Sequence, residues 1–265
     1  MTRILWQNNT NEAPNGVTEF TKVWDVLKRQ FKQVARPDTQ VELVHLTRST
    51  NNVRSRYGDF VNAAEVVERL VDSEKQGYDA AVIGCMTDSG LYEAREVVSI
   101  PVISVAEAAM YVAMLLGQRF AIVTVDSAIV PNMEKLVKLY GLEARSIYRP
   151  VRAVEPPLYR ADYMEAVTDP YKTAIPRIEE VARECIKDGA EVIIVGCGYL
   201  GPILSSHGYR FISGSGAVVV DSAAAALKMA EMMADLRRTA GFEKSRAGYF
   251  RPLSDEVVRA IRAAR

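Results

Sequence analysis

A short apolar motif ending in Gly-Cys occurs twice in this chain, and this repeat constrains the fold more than any other feature. Residues 77–85 read GYDAAVIGC and residues 189–197 read GAEVIIVGC, which places Cys197 at a separation of 112 residues from Cys85. Two further pairs of segments lie at a separation of 116 residues: 101–109 with 217–225, and, more weakly, 3–8 with 119–124. Similar segments at nearly one separation predict two similar lobes that face each other.

Short β-branched runs alternate with longer helical patterns along the chain. The predicted strands are Arg3–Trp6, Val41–Leu46, Ala80–Gly84, Val102–Val105, Phe120–Val125, Ala144–Tyr148, Val192–Gly196 and Ala217–Val220. The predicted helices are Val17–Val34, Asn62–Gln76, Ala106–Leu116, Pro131–Tyr140, Ile175–Asp188, Ser222–Arg238 and Ser254–Ala264. Nearly continuous apolar strands that alternate with helices are typical of parallel sheets covered on both faces.

We therefore predict an α/β fold with two pseudo-symmetric Rossmann-like lobes, each a mostly parallel sheet flanked by helices. The active site is expected in the cleft between the lobes. The first lobe is assigned residues 1–104 plus 217–265, and the second lobe residues 105–216. The least regular stretch, Pro150–Lys172, is interpreted either as an irregular excursion or lid, or as a plain surface insertion.

The charge balance restricts the partners that this chain can have. Lys and Arg number 33 and Asp and Glu number 33, so the formal net charge is zero, which argues against nucleic acid as the main partner. No apolar run approaches the length of a transmembrane helix, and the N-terminal residues read directly into a strand, so no export signal is expected. We expect a cytoplasmic homo-oligomer with reduced thiols that acts on a small molecule.

Each Gly-Cys lies where a buried strand stops, at the edge of a parallel sheet where ligands bind. Backbone N–H groups of the following turn lower the pKa of a thiol at such a position. If the lobes are related by a pseudo-two-fold axis, Cys85 and Cys197 face each other across one cleft. Cys185 falls within an apolar helix pattern and is interpreted as a core residue.

Two opposed thiols suit inversion of a stereocentre at an acidic C–H bond. One thiolate takes the proton from one face, and the other thiol donates a proton to the opposite face. Glycines and short polar residues follow both cysteines and the first strand, and their N–H groups could hold a carboxylate, an imide oxygen or an enolate. The chain has two histidines, His45 and His207, which are interpreted mainly as rim and loop residues.

Two other site types were considered from the motifs. Residues 196–201 (GCGYLG) match the dinucleotide-binding pattern, and Asp221 follows at its usual spacing, but the glycine-rich residues 202–216 leave little room for the long crossover helix. The cysteines and histidines lack the paired spacing of a metal site. Neither a cofactor nor a metal is expected.

The residues around the cysteines resemble a known family. Residues 84–96 (GCMTDSGLYEARE) look like the first cysteine motif of the aspartate/glutamate/hydantoin racemase superfamily, closest to the hydantoin and allantoin racemases. Residues 101–110, Gly196-Cys197 and residues 218–231 resemble later parts of the same pattern. The resemblance implies two α/β lobes and cofactor-independent racemisation of a 5-substituted hydantoin or related cyclic ureide. It implies that Cys85 and Cys197 are the acid/base pair and that four residues bind substrate: Asn9, Thr10, Thr87 and Thr124.

Met86, Gly198 and Tyr199 neighbour the two cysteines and complete the predicted substrate site. Tyr199 replaces a small residue of the family pattern, so its ring is expected to narrow or reshape the pocket. The superfamily also contains amino-acid racemases, arylmalonate decarboxylases and maleate isomerases, and these remain alternatives. A two-lobed ligand-binding protein without chemistry is a further alternative, although a binder would not need two thiols at strand ends.

Overall fold

In the computed structural model, which describes residues 1–264, two four-stranded sheets form, and neighbouring strands run parallel in both. The first sheet has the order β2-β1-β3-β4 and consists of β1 (Thr2–Gln7), β2 (Thr39–Val44), β3 (Ala80–Ile83) and β4 (Val102–Ser104). The second has the order β6-β5-β7-β8 and consists of β5 (Phe120–Thr124), β6 (Ser146–Ala153), β7 (Val192–Gly196) and β8 (Val218–Val220). The two strand orders are equivalent, and the predicted two-lobed parallel α/β fold is confirmed.

Helices connect the strands and flank the sheets. They are α1 (Thr21–Val34), α2 (Arg56–Val71), α3 (Leu91–Val97), α4 (Val105–Leu116), α5 (Val130–Leu139), α6 (Arg160–Thr168), α7 (Ala174–Lys187), α8 (Leu200–Ser206), α9 (Ser222–Ala240) and α10 (Asp255–Ala263). Within residues 1–264, none of these helices combines the length and apolar composition needed to cross a lipid bilayer.

The strands separate two layers of core side chains because alternate residues point to opposite faces. Ile4 and Trp6 of β1 are completely buried in the main core, which spans both lobes. Leu5, between them, packs in a smaller core together with Val66 and Leu70 of α2. Both faces of the inner strands are therefore covered, whereas the edge strand β2 exposes Gln40 and Glu42.

Two helices each pack on the sheet that precedes or follows their own, so that each lobe supplies a covering helix to the other. Helix α4 follows the last strand of the first sheet but packs on β5, β7 and β8 of the second sheet. Helix α9 follows the last strand of the second sheet and packs on β1, β3 and β4 of the first. The two helices also pack against each other.

This exchange moves one predicted lobe boundary. Strand β8 pairs with β7, so residues 218–220 lie in the second sheet, whereas we had assigned residues 217–265 to the first lobe. The chain returns to the first sheet only with α9. The short apolar run did not indicate which sheet it would join, because both sheets end in the same kind of strand.

Three short helices were not predicted. Helices α3 and α8 each span seven residues and α6 spans nine, and one or two turns are too short to show a clear hydrophobic period. Such helices are stabilised mainly by tertiary packing rather than by helix propensity. Helix α6 lies inside Pro150–Lys172, so this segment is partly helical rather than irregular throughout.

Strand β6 continues to Ala153 through Pro150, although the prediction ended it at Tyr148. It is the edge strand of its sheet, and an edge strand tolerates a proline because one side of its backbone has no partner strand. Helix α2 begins at Arg56, earlier than the predicted Asn62, and Ser55 caps it by accepting a hydrogen bond from the Gly58 N–H at 3.1 Å.

Candidate active site

The two repeated cysteines line one cavity between the lobes. Cys197 directly follows β7, and Cys85 follows β3, and these are equivalent inner strands of the two sheets. Both side chains are half-buried and border the same cavity of about 420 Å³. A cavity of this volume suits a small organic molecule.

Two glycines are required by close contacts around the cysteine loops. A Cβ atom on Gly198 would lie 2.9 Å from the carbonyl oxygen of Gly84, which belongs to the other lobe. A Cβ atom on Gly84 would lie 2.4 Å from the indole nitrogen of Trp6, in β1 of its own lobe. Both distances are too short for any larger residue, so Gly198 is required by the contact between the lobes and Gly84 by packing within the first lobe.

Cys85 lies beside a cluster of hydrogen-bonded polar residues that we call the Asp59 cluster: Asn9, Asp59, Thr87 and Ser89. The Cys85 Sγ is 3.0 Å from Thr87 Oγ1, and Thr87 donates to Asp59 Oδ1 at 2.8 Å. Ser89 and Asn9 donate to the same carboxylate oxygen at 2.6 Å and 3.1 Å. A carboxylate is thus connected to the thiol through one hydroxyl group.

Electrostatics favours the neutral thiol at Cys85. Burial and then the Asp59 carboxylate raise the pKa of Cys85 to about 11, against hydrogen bonds from Thr87 and Asn9 that lower it. Burial also raises the pKa of Asp59, while hydrogen bonds from Ser89, Thr87 and Asn9 oppose this rise. At neutral pH the Cys85 side chain therefore carries its proton.

Cys197 lies near a cation instead. Its Sγ is 3.9 Å from the Tyr163 hydroxyl, to which the Arg54 guanidinium donates at 3.4 Å. Arg54 also donates to Asp126 at 2.6 Å and to the carbonyl oxygen of Leu158. Burial lowers the pKa of Arg54, but Tyr163, Asp126 and Cys197 raise it more.

The two cysteines therefore differ in their charged neighbours although their backbone positions are equivalent. A carboxylate lies behind Cys85 and a guanidinium group lies behind Cys197. Burial and the Asp59 carboxylate favour the protonated thiol at Cys85. The two sides of the cavity thus differ in the sign of the charge that lies behind each cysteine.

Five of the predicted substrate-binding residues line the cavity with the cysteines: Thr10, Met86, Thr87, Gly198 and Tyr199. Tyr199 Oη is 3.4 Å from Thr10 Oγ1, and its ring contacts Trp24 edge to face with 4.9 Å between centroids. The ring is thus held in place between the two lobes, and it occupies space in the cavity as expected from the sequence.

Two other predicted binding residues lie behind the cavity wall rather than on it. Asn9 is completely buried and donates to Asp59 and Ser89. Thr124 is also completely buried, and its hydroxyl donates to the carbonyl oxygen of Gly196 at 3.1 Å. In the structure both side chains support the cysteine loops from behind, and their direct contact with a substrate remains a prediction.

The remaining cysteine and the histidines lie outside the cavity. Cys185 is completely buried in α7, which confirms the core interpretation. His45 is near Asn8 and packs on Trp24, and His207 is near the carbonyl oxygen of Val167. Within residues 1–264, no three His, Cys, Asp or Glu side chains are grouped so that they could hold a metal ion.

The sequence analysis missed Arg54, Asp59 and Tyr163. Arg54 and Asp59 flank the start of α2, which we had placed too late, and Ser55 as an N-cap was the available signal for the earlier start. Tyr163 belongs to the unpredicted helix α6. No local pattern connects these residues with the cysteines, because the contacts depend on how the segments cross between lobes.

Known proteins resemble this chain over both lobes. The sequence pattern described as Asp/Glu/Hydantoin racemase matches residues 13–230. A hydantoin racemase of Pseudomonas sp. (strain NS671) is 31% identical over 248 residues, covering 94% of this chain and 93% of that protein. A hydantoin racemase of Rhizobium meliloti is 32% identical over 200 residues, covering 76% of this chain and 78% of that protein.

A solved structure has the same fold. The crystal structure of an allantoin racemase from Pseudomonas fluorescens has a TM-score of 0.76 and 27% sequence identity. The match covers 95% of this chain and 97% of the other. The similarity of fold thus extends over both lobes.

Proposed function

This chain belongs to the Asp/Glu/hydantoin racemase family and is a racemase, and we propose that its substrate is a 5-substituted hydantoin or a related cyclic ureide. The observation that carries the proposal is the shared cavity lined by Cys85 and Cys197. The similar hydantoin racemases and the allantoin racemase support this class of substrate, since their names refer to cyclic ureides.

In the proposed reaction the two cysteines work on opposite faces of the acidic carbon. The thiolate of one cysteine removes the proton, and the electron pair of the C–H bond moves to the adjacent carbonyl group to form an enolate. The thiol of the other cysteine then gives its proton to the opposite face of the same carbon. One thiolate and one thiol are present before and after, so no oxidant, reductant or cofactor is needed.

The charges around the cavity support a direction for the first turnover. Cys85 has a raised pKa and holds a proton, so it is the donor in the resting enzyme. Since Cys85 is the donor, Cys197, which lines the other side of the cavity beside Tyr163, is the base in this scheme. Three free cysteines without a disulfide are consistent with work in the reducing cytoplasm.

The function is tested by proton–deuterium exchange in D₂O with each pure enantiomer of several hydantoins and of allantoin, with aspartate, glutamate and arylmalonates for comparison. We expect exchange and inversion with the cyclic ureides, unchanged after dialysis against EDTA. Loss of carbon dioxide from arylmalonates without inversion of any ureide would show a decarboxylase instead. Exchange confined to aspartate or glutamate would show an amino-acid racemase.

The raised pKa of Cys85 leads to a prediction about pH. In Cys197→Ser the remaining base is the Cys85 thiolate, so its exchange rate should rise about tenfold per pH unit towards pH 11. Adding Asp59→Asn removes the carboxylate charge, lowers the pKa of Cys85 and shifts this rise to lower pH. The measurement is the exchange rate of the responsive enantiomer as a function of pH in both variants.

Asp126→Asn in the same Cys197→Ser background is the matched control, since Asp126 contacts Arg54 rather than the Asp59 cluster. It should leave the midpoint of the pH profile unchanged. Identical profiles with and without Asp59→Asn would contradict a charge interaction between Asp59 and Cys85.

A further inference from the structure

The charges that line the cysteine cavity are of one sign. Among the residues that the structure describes, the charged side chains on its wall are Arg54 and Arg160, and both are cations. The other lining residues are neutral, and many are apolar, including Phe20, Val125 and Met133. A cavity of this kind favours an anionic ligand. A cation on the wall can pair with the negative charge of the ligand, and this pairing offsets the cost of burying that charge.

Arg54 already has its partners. Its guanidinium group donates to Asp126, to the Leu158 carbonyl oxygen and to the Tyr163 hydroxyl. The ring of Tyr159 covers it, with 4.9 Å between the guanidinium carbon and the ring centroid. The positive charge of Arg54 is thus balanced by Asp126, and its donors are engaged by the protein.

Arg160 is different. It is half-buried at the start of α6, and within residues 1–264 it has no carboxylate within ion-pair distance. The positive charge of Arg160 acts on a group inside the cavity. Burial raises the pKa of Tyr199, and the charge of Arg160 opposes that rise. Arg160 and Tyr199 line the same cavity, so a ligand held there would lie beside an unpaired positive charge.

We propose that Arg160 binds an anionic group on the substrate, so that the preferred substrates are cyclic ureides whose substituent at C5 ends in a carboxylate. This proposal rests on the proposed function and names the substrate class within it. The ureide ring carries no charge until the enolate forms, so a charge that Arg160 can pair with when the substrate first binds lies on the substituent. The guanidinium fork matches the two oxygens of a carboxylate.

Two hydantoins of the same shape test this proposal: one with a carboxyethyl group at C5 and one with a carbamoylethyl group. In the wild-type enzyme, kcat/KM for racemisation should favour the acid by about 10- to 100-fold, the range expected for a hydrogen-bonded charge pair. Arg160→Gln should remove the preference by lowering kcat/KM for the acid alone. Arg160→Lys should restore part of it, because the charge remains.

Arg119→Gln is the matched control. Arg119 is exposed and directly precedes β5, so it lies at the start of the strands, whereas the cysteines lie at their carboxyl ends. It should leave the ratio of the two substrates unchanged. Equal kcat/KM for acid and amide in the wild type, or a preference that survives Arg160→Gln, would overturn the proposal.

The amide substrate separates this proposal from the function on which it rests. If the amide is racemised but the acid is not preferred, the assignment of Arg160 fails alone. If neither compound is racemised, the proposed function fails. In that case, calorimetric titration of both compounds against wild type and Arg160→Gln still tests whether Arg160 binds an anionic group. Tighter binding of the acid that is lost in the variant supports this role. Equal binding of acid and amide refutes it.

Discussion

Cys85→Ser and Cys197→Ser should each abolish racemisation, while each variant should still exchange the reacting proton of one enantiomer. A hydroxyl group is a far weaker acid than a thiol, so the substituted side no longer transfers a proton at a useful rate. Loss of one general acid or base costs about 10²- to 10⁴-fold in rate. The two variants should respond to opposite enantiomers, because the cysteines act on opposite faces of the carbon.

The measurement is NMR loss of the α-proton signal in D₂O for each pure enantiomer, together with polarimetry for inversion. Cys185→Ala is the matched control and should racemise like the wild type, because Cys185 is buried in α7 away from the cavity. If one site variant racemises at the wild-type rate, that cysteine is not an acid or base. If both variants remain folded but exchange neither enantiomer, the thiols act as a coupled pair.

Gly198→Ala should lower the racemisation rate about 100-fold, even though the added methyl group touches no substrate. The new Cβ would lie 2.9 Å from the Gly84 carbonyl oxygen, so the two cysteine loops must move apart. A displacement of about 1 Å between reacting groups is sufficient for a loss of about this size. The loss should appear in the rate for both enantiomers, since both thiols are displaced from the shared carbon.

Gly201→Ala is the comparison for this variant. Gly201 lies three residues further on, and its added Cβ would be 3.2 Å from the side-chain carboxylate of Asp221 rather than 2.9 Å from a backbone atom of the other lobe. Its activity should stay near that of the wild type. Thermal unfolding distinguishes a displaced site from an unfolded protein. Near-wild-type racemisation by Gly198→Ala would mean that the loops tolerate separation.

The fold could be predicted from sequence because its main signals are local and repeated. Apolar strands alternate with helices, and each Gly-Cys follows a strand that is an inner strand of its sheet. The cavity shared by Cys85 and Cys197 follows from that repeat. Helix α6 could not be predicted in the same way, because its nine residues are too few to show a clear period, whereas Ser55 as an N-cap signals the true start of α2.

Local sequence patterns also do not show which charged residues lie beside the cysteines. Asp59 and Arg54 lie near each other in sequence, yet one approaches Cys85 and the other approaches Cys197. Thr124 and Asn9 are polar residues at strand ends, where a ligand contact was the natural expectation. Whether such a residue faces the cavity or supports the loop behind it depends on the direction of its side chain. A single sequence does not specify that direction.

The exchange of α4 and α9 makes the two lobes one folding unit. Residues 1–104 end before the helix that covers the second sheet, and they depend on α9 from the C-terminal part to cover the first sheet. A chain cut between α4 and β5 would leave each sheet without the helix that covers it and with apolar strands open to water. The two thiols are therefore held in register by packing that spans both lobes.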